Sequence, residues 1–447
     1  MFNFCGWTRK ERRMEKIIIH NLGPIKDCTL EIKDFTVFTG PQASGKSTIA
    51  KSVFFFKNIK RLLVELLDKR FFLHDADNKE QNLKNQLIRE IRSKFLQTFG
   101  STWCMERDMF MVYHYSTEVS IKISLRSDPI SYNYVWIEMS SELYKFLINY
   151  NNLIGDKYAY EQGRNKIIQD IKKIFSDDLE AVYIPAGRSM MTLFSSQLMY
   201  LYNVMSDDQK RSLDYCTQNY LEKTMQIKPF FNESIRTMIK NEYETSITEI
   251  DKENLLLCEK IMKEILQGEY RNVDGEERLQ VSDQHYVKIN FASSGQQEAV
   301  WILNVVFYYL LKNKKVYFII EEPESHLFPN TQKLMTEFIS LAKNDGSKIF
   351  MTTHSPYVLG TINNLLYANK ISKKADIGEL NSIINKNKWL DFQKLSAYYI
   401  EDGKMLSCVD QEMQAINNEV IDGASDAINR DFDAMVELKY RSEMDGE

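Results

Sequence analysis

The chain has 447 residues, 44% hydrophobic and 27% charged, the balance of a folded globular protein large enough for more than one structural unit. A net charge of −5, with both signs interspersed, excludes nucleic-acid binding driven by bulk charge and leaves only a local basic patch open. Six cysteines without a Cys-x-x-Cys pair or a zinc-ligand spacing exclude a sequence-evident zinc site and read as reduced, mostly buried thiols in the cytoplasm.

Residues 1–14 read as an N-terminal leader. No apolar stretch follows Arg9, Lys10, Arg12 and Arg13, so it is not a secretory signal; the alternative is a basic arm. Residues 15–68 follow as one unit. Ile17–Ile19 and Thr29–Ile32 are short β-like runs around the turn signal Gly23-Pro24, and Phe35–Thr39 is a third. The next residues, Gly40-Pro41-Gln42-Ala43-Ser44-Gly45-Lys46-Ser47-Thr48, fit G-x-x-x-x-G-K-[ST]. Ile49, Val53, Phe56, Ile59 and Leu63 then recur at helical spacing. This strand–loop–helix context separates a phosphate-binding P-loop from a glycine-rich turn with a serine cap. Its glycines let backbone N–H groups approach a polyphosphate at a helix N-terminus. Lys46 is expected to meet the β- and γ-phosphates, and the Ser47 hydroxyl to bind Mg²⁺.

Residues 69–280 carry no nucleotide motif and read as a mixed, mostly helical insertion. Lys79–Phe99 has helical apolar spacing, and Met109–Arg126 alternates as strands do. Leu143–Phe175 reads as helix broken at Gly155 and Gly163, and Asp207–Leu266 as several helices. No heptad seam is sustained, so a long coiled coil is not expected. Within this insertion Ala181–Ser189 is an apolar strand running into a Pro/Gly turn with an arginine. Either Arg188 reaches the nucleotide or a subunit interface, or the turn is an ordinary helix start capped by Ser189.

Residues 281–368 resume the pattern. A hairpin around Ser282-Asp283-Gln284 leads to Ser293-Ser294-Gly295-Gln296-Gln297, a helix start readable as a capping box of Ser294 with Gln297 and also as an anion site. The longest apolar run, Ala299–Leu311, is too short to span a membrane, contains Asn304 and reads as a buried helix. Val316–Ile320 is a continuous apolar run of the parallel-strand kind, ending in Glu321-Glu322-Pro323-Glu324. These carboxylates are either a solvated acidic turn or a group held near a cation, because unpaired burial is costly. Lys348–Met351 is another short strand, ending in Thr352-Thr353-His354-Ser355-Pro356, with Ser355 and Pro356 a plain helix start. Residues 369–447 are polar, with a hairpin signal at Asp402-Gly403 and weak helical spacing over 425–440.

Each motif has an ordinary reading alone; their order does not. P-loop, Ser-Ser-Gly-Gln-Gln helix start, apolar strand into Glu-Glu and apolar strand into His together resemble an ABC-class ATPase of the SMC/RecF/OLD (overcoming lysogenization defect) group, over about Glu15–Asp68 and Gln280–Tyr367. The resemblance implies an α/β P-loop NTPase fold of ABC-ATPase type: a mixed sheet core and a β-rich subdomain, here with a large α-rich insertion. It implies that Gly40 to Thr48 bind ATP as Walker A. Val316–Glu322 is similar to Walker B, with Glu321 where the family has an Asp on the Mg²⁺ side and Glu322 as the catalytic glutamate. Pro323–Pro329 resembles the run that covers the D-loop, and His354 the switch histidine. Ser293–Gln297 sits where the signature motif sits, with Gln296 replacing its second glycine. No Q-loop is matched. The implied site is composite. Lys46, Ser47, Glu321, Glu322 and His354 of one subunit hold ATP and Mg²⁺, and Ser294 and Gly295 of a second reach the γ-phosphate, so the protein is expected to be a dimer or larger.

Ser355–Glu447 lacks an Asp-x-Asp after an apolar strand, which argues against a fused Toprim nuclease. In this the chain resembles the stand-alone ATPases of two-component anti-phage systems of the PARIS and Septu types. That implies a separate effector, usually a nuclease, under ATPase control, with DNA or a phage protein as trigger and no membrane partner. The alternatives are a RecF- or SMC-like DNA-repair ATPase that clamps DNA itself and a non-hydrolysing nucleotide-sensing scaffold.

Overall fold

The computed structural model describes residues 15–72, 82–126, 134–152, 157–193, 200, 202, 204–206, 209–210, 212–245, 251–417 and 429–436. The leader at 1–14, Gly155, Asp207 and all of the expected tail helix except 429–436 lie outside the described residues.

The apolar runs become strands at the places their patterning predicts. β1 (Lys16–Leu22), β2 (Ile25–Glu31) and β3 (Phe35–Thr39) open the chain, and α1 (Lys46–Phe72) follows. After α2 (Leu83–Phe99) come β4 (Phe110–His114), β5 (Ser120–Arg126) and β6 (Tyr134–Met139). α3 (Ser141–Asn152) and α4 (Lys157–Ile174) precede β7 (Glu180–Ile184) and the short α5 (Arg188–Leu193). α4 runs through Gly163 without the expected break; the glycine has open space around it and costs about 1 kcal/mol of helix propensity, too little to end a helix held by its neighbours.

Three more helices, α6 (Tyr215–Ile227), α7 (Ile235–Thr245) and α8 (Lys252–Leu266), lead to a small antiparallel sheet of β8 (Glu269–Val273), β9 (Glu276–Gln280) and β10 (Tyr286–Lys288). α9 (Ser294–Leu311), β11 (Val316–Glu321), α10 (Pro329–Asn344), β12 (Lys348–Thr352) and α11 (Pro356–Ile371) alternate, as a parallel sheet requires. The hairpin at Asp402-Gly403 joins β13 (Leu395–Glu401) to β14 (Lys404–Ser407), with both turn residues at positive φ, 52° and 78°.

One eleven-stranded mixed sheet organises the molecule, in the order β6-β5-β4-β1-β2-β14-β13-β3-β12-β11-β7. The first five strands pair antiparallel. From β13 to β7 every pair is parallel. This is the expected α/β class, a mixed sheet with a β-rich subdomain and a helical insertion. The segments interleave, however: 69–280 supplies β4 to β7, and the hairpin from 369–447 lies in the middle of the sheet.

Side chains alternate across each strand, so the sheet divides two cores. Val316, Phe318 and Ile320 face the core built on α8 to α11, whereas Tyr317 and Ile319 face the core under α1. α9 is buried around most of its circumference, Trp301 included, as its uninterrupted apolar run requires. No helix of the described residues is long and apolar enough to cross a membrane.

The second core contains charge. Lys57 of α1, 1% exposed, donates to Glu15 at 2.6 Å and lies 3.4 Å from Asp177, which also accepts from Lys60 at 2.7 Å. Burial opposes ionisation of Asp177, but Lys57 and Lys60 outweigh it and hold the carboxyl down at about 2. A depressed carboxylate stabilises the fold above its unfolded pKa of about 3.9, and that contribution is lost as the pH falls through about 2. We therefore expect Asp177→Asn to lower unfolding free energy at pH 7 by about 3 kcal/mol, because it takes from Lys60 its carboxylate and leaves buried Lys57 with Glu15 alone. Urea titrations should show the gap to wild type narrowing as the pH drops below about 4; a gap independent of pH would contradict the ion-pair account.

Candidate functional site

Parallel neighbours end at the same edge of a sheet, and ligands of such sheets bind there. Here β3, β12, β11 and β7 are successive neighbours, with Thr352 opposite Phe38, Glu321 opposite Thr352 and Ile184 opposite Ile320. Their exits are Gly40, Thr353-His354, Glu322–Glu324 and Pro185–Arg188. The Thr353 N–H donates to the Phe38 carbonyl at 2.9 Å and the Glu322 N–H to the Thr352 carbonyl at 3.0 Å, which locks adjacent exits together.

The P-loop depends on two glycines. Gly40 has φ 139°, and a Cβ there would lie 2.5 Å from the Ile400 carbonyl oxygen of β13. Gly45 has φ 106°, and its Cβ would lie 2.3 Å from Ile25 in the β1–β2 hairpin. Ala43 also sits at positive φ, 61°. α1 starts at Lys46 with no acidic residue of its own in the first turn, where the N–H groups of a helix favour an anion. Pro41, Gln42, Ala43 and Ser47 are exposed, while Thr48 and Ser44 are half-buried.

Lys46 is 4% exposed and donates to the carbonyls of Gly40 at 3.0 Å and Pro41 at 2.7 Å. Burial lowers its pKa to about 8, against the pull of the carboxylates of Glu322, Glu324 and Glu321.

The acidic turn is not a solvated one. Glu321 is 4% exposed; its Oε2 accepts from the Ala186 N–H at 3.3 Å, and its buried Oε1 has no donor within hydrogen-bond distance, although the buried Tyr183 hydroxyl interacts with the same carboxyl group. A carboxylate oxygen held this way fits a cation, since leaving it bare costs free energy. Glu324 is also buried. One oxygen accepts from the Thr353 hydroxyl at 2.8 Å and the His354 N–H at 2.7 Å, the other has no protein partner, and burial raises its pKa. Glu322, about one-third exposed, lies 3.4 Å from His354 Nε2. That contact leads in lowering its pKa, against burial, with Ser325 and Lys46 adding to the effect. Its φ of 42° is left-handed for a side-chain-bearing residue.

The structure thus brings Lys46, Glu321, Glu322, Glu324 and His354 together. Ser294 and Gly295 stand apart from them: no hydrogen bond links either to that group, and the α9 start packs on the turn after Glu322, where a Cβ on Gly295 would lie 2.7 Å from the His326 carbonyl oxygen. The capping box is one residue earlier than expected. Ser293, not Ser294, is the N-cap, and Gln296, not Gln297, closes the box, leaving Ser294 exposed at the first helical position.

Arg188 is fully buried and is neither a surface interface residue nor a plain turn residue. Ser189 is not the cap of α5 either: the Glu298 carboxylate accepts the Arg188 N–H at 3.0 Å and the Ser189 N–H at 2.9 Å. Sequence reasoning missed Glu298 and the part of Glu324 in holding the His354 backbone. Nothing local marks Glu298, because its partner lies 110 residues away.

Residues 13–359 match the family described as the AAA ATPase domain. No curated protein matches the sequence. Among solved structures the chain is similar to an SMC head bound to the C-winged helix domain of ScpA (13% identity, 90% of this chain and 98% of that one, TM-score 0.40). It is also similar to the SMC head domain from Thermotoga maritima (11%, 88% and 98%, TM-score 0.35). A third is the Pyrococcus furiosus Smc head domain with an extended coiled coil, bound to the C-terminal domain of ScpA (14%, 88% and 96%, TM-score 0.37). With the family match covering more than half of its length, and with the P-loop at the sheet edge where that match begins to carry chemistry, the chain belongs to the AAA ATPase domain family.

Proposed function

We propose that this protein binds and hydrolyses ATP in a composite site between two copies of itself, and that the resulting change of assembly state controls a separate effector in anti-phage defence. The observation that carries the hydrolysis reading is the meeting of Lys46, Glu321, Glu322 and His354 at one sheet edge. Phosphoryl transfer needs mainly positioning and charge stabilisation, and this group offers both. The N–H groups from Ala43 to Thr48 cradle the phosphates, and Lys46 turns from its own loop carbonyls to the β- and γ-phosphates. Glu322, kept ionised beside His354, orients and deprotonates the attacking water, and His354 contacts the γ-phosphate. Ser47 and Glu321 would hold Mg²⁺, which neutralises phosphate charge when bound.

The second copy is argued from the α9 start. Ser294 is exposed, and Phe291 and Phe328, 77% and 71% exposed, flank this face. Exposed aromatics beside a helix start that leaves Ser294 exposed fit a protein contact that carries phosphate to it. Among the described residues of 369–417, β13 and β14 are strands of the ATPase sheet. The defence setting rests on the resemblance of this arrangement to the stand-alone ATPases of two-component systems.

Replacing Glu322 by Gln should leave ATP binding intact while lowering phosphate release about 10²–10³-fold. The same variant with ATP should sediment as a dimer or larger species, and with ADP should not. Wild-type turnover in Glu322→Gln would remove the glutamate from its role. Lys46→Ala should weaken ATP affinity about 10–100-fold, the worth of a charged hydrogen-bonding group. Because burial holds Lys46 at about 8, wild-type affinity measured by titration calorimetry should fall as the pH rises past that value; a flat profile up to pH 9 would contradict a phosphate-binding ammonium.

A further inference from the structure

We infer that Arg188 is a positioning residue that ties the start of α9 to the backbone of Glu322, so that the placement of one sets the other. The inference rests on the hydrolysis reading above. A guanidinium offers a rigid planar fork of N–H donors, and here the fork spans two elements. Nε donates to the Glu298 carbonyl of α9 at 3.0 Å. Nη1 donates to the Glu321 carbonyl at 2.7 Å and the Pro185 carbonyl at 2.5 Å, and Nη2 to the Glu322 carbonyl at 3.0 Å.

The same short helix grips α9 a second time. Its first N–H groups enter the Glu298 carboxylate, and the Thr192 hydroxyl donates to the Gln297 carbonyl at 2.9 Å. Two neighbouring α9 residues and two neighbouring β11-exit residues are therefore held by one buried side chain and the turn that carries it. The Glu322 backbone is left-handed, a conformation that persists only when its surroundings over-determine it. The Thr352 carbonyl fixes its N–H and Arg188 fixes its carbonyl. A ligand that shifts Ser294 and Gly295 moves Glu298, four residues from Ser294 on the same helix, and through Arg188 the Glu322 peptide. Contact of the helix start with the nucleotide held by the second copy is thereby reported to the Glu322 that serves this copy's own nucleotide.

The test compares Arg188→Lys, Glu298→Gln, Glu322→Gln and the Arg188→Lys/Glu322→Gln double variant. Lysine keeps the charge but not the fork. We expect Arg188→Lys to lower kcat about 10–100-fold, the scale of a misplacement of about 1 Å, with KM for ATP within about threefold. In the Glu322→Gln background the same change should add less than about twofold. Amide hydrogen exchange should rise together over 294–299 and 321–325. Glu298→Gln should move kcat and exchange in the same direction and carries the same measurements if Arg188→Lys does not fold. A loss of melting temperature with kcat unchanged, kinetic effects that multiply fully in the double variant, or exchange rising at only one segment or neither would overturn the coupling. Wild-type protein without turnover would sink the hydrolysis reading alone, and the exchange comparison would still decide the coupling.

Discussion

Everything at the candidate site depends on the parallel register of β3, β12, β11 and β7. Short loops leaving four adjacent strands at one edge have nowhere to go but alongside each other. The P-loop, the acidic turn, His354 and Arg188 lie apart in sequence and together in space for that reason alone. The register is held in turn by side chains that alternate into two separate cores, so a slip of one residue would exchange the contents of both.

This packing concentrates charge that would otherwise repel. Glu321 and Glu324 are buried next to Glu322, and Lys46 is a buried cation near all three. The group does not cancel internally. Lys46 is satisfied by loop carbonyls, while one oxygen on each of Glu321 and Glu324 has no donor within hydrogen-bond distance. Such a set is poorly stabilised by itself and better stabilised by a ligand carrying both anionic phosphates and a cation, which is the chemistry proposed for it. The cluster around Lys57 is the contrast: there cation and carboxylate are paired directly, no exit loop of the parallel strands contributes, and the arrangement serves stability.

Strands and helices were legible wherever apolar periodicity was strong, as in Phe35–Thr39, Val316–Glu321 and the run from Ala299. The P-loop was legible because its glycines answer to local geometry. Other features were not, because their cause is distant in sequence. The hairpin at Asp402-Gly403 reads correctly as a hairpin, yet only the sheet order puts β13 against β3, where the Ile400 carbonyl oxygen makes a glycine necessary at position 40. Ser293 rather than Ser294 caps α9 because the choice between adjacent serines is settled by the fit of Gln296. Glu324 reads as one more acidic-turn residue until Thr353 and the His354 N–H are found bonded to it.

The two departures from the ABC-class motifs that the sequence resembles acquire local reasons. A glycine at position 296 has no side chain, whereas Gln296 accepts from the Ser293 N–H at 2.9 Å and donates to the Leu266 carbonyl at 2.7 Å. It therefore closes the capping box and fastens the helix start to the end of α8, making the segment that carries Ser294 and Gly295 a rigid unit. Glu321, longer than an aspartate by one methylene, places Oε2 on the Ala186 N–H beyond the end of β7 while Oε1 remains without a donor within hydrogen-bond distance. Gln296 thus acts on the junction of α8 and α9, and Glu321 on the β7 exit that Arg188 fills. A chain whose α9 start and Glu322 turn are joined through one buried guanidinium transmits displacement between them rather than absorbing it, because packed interiors shift as units.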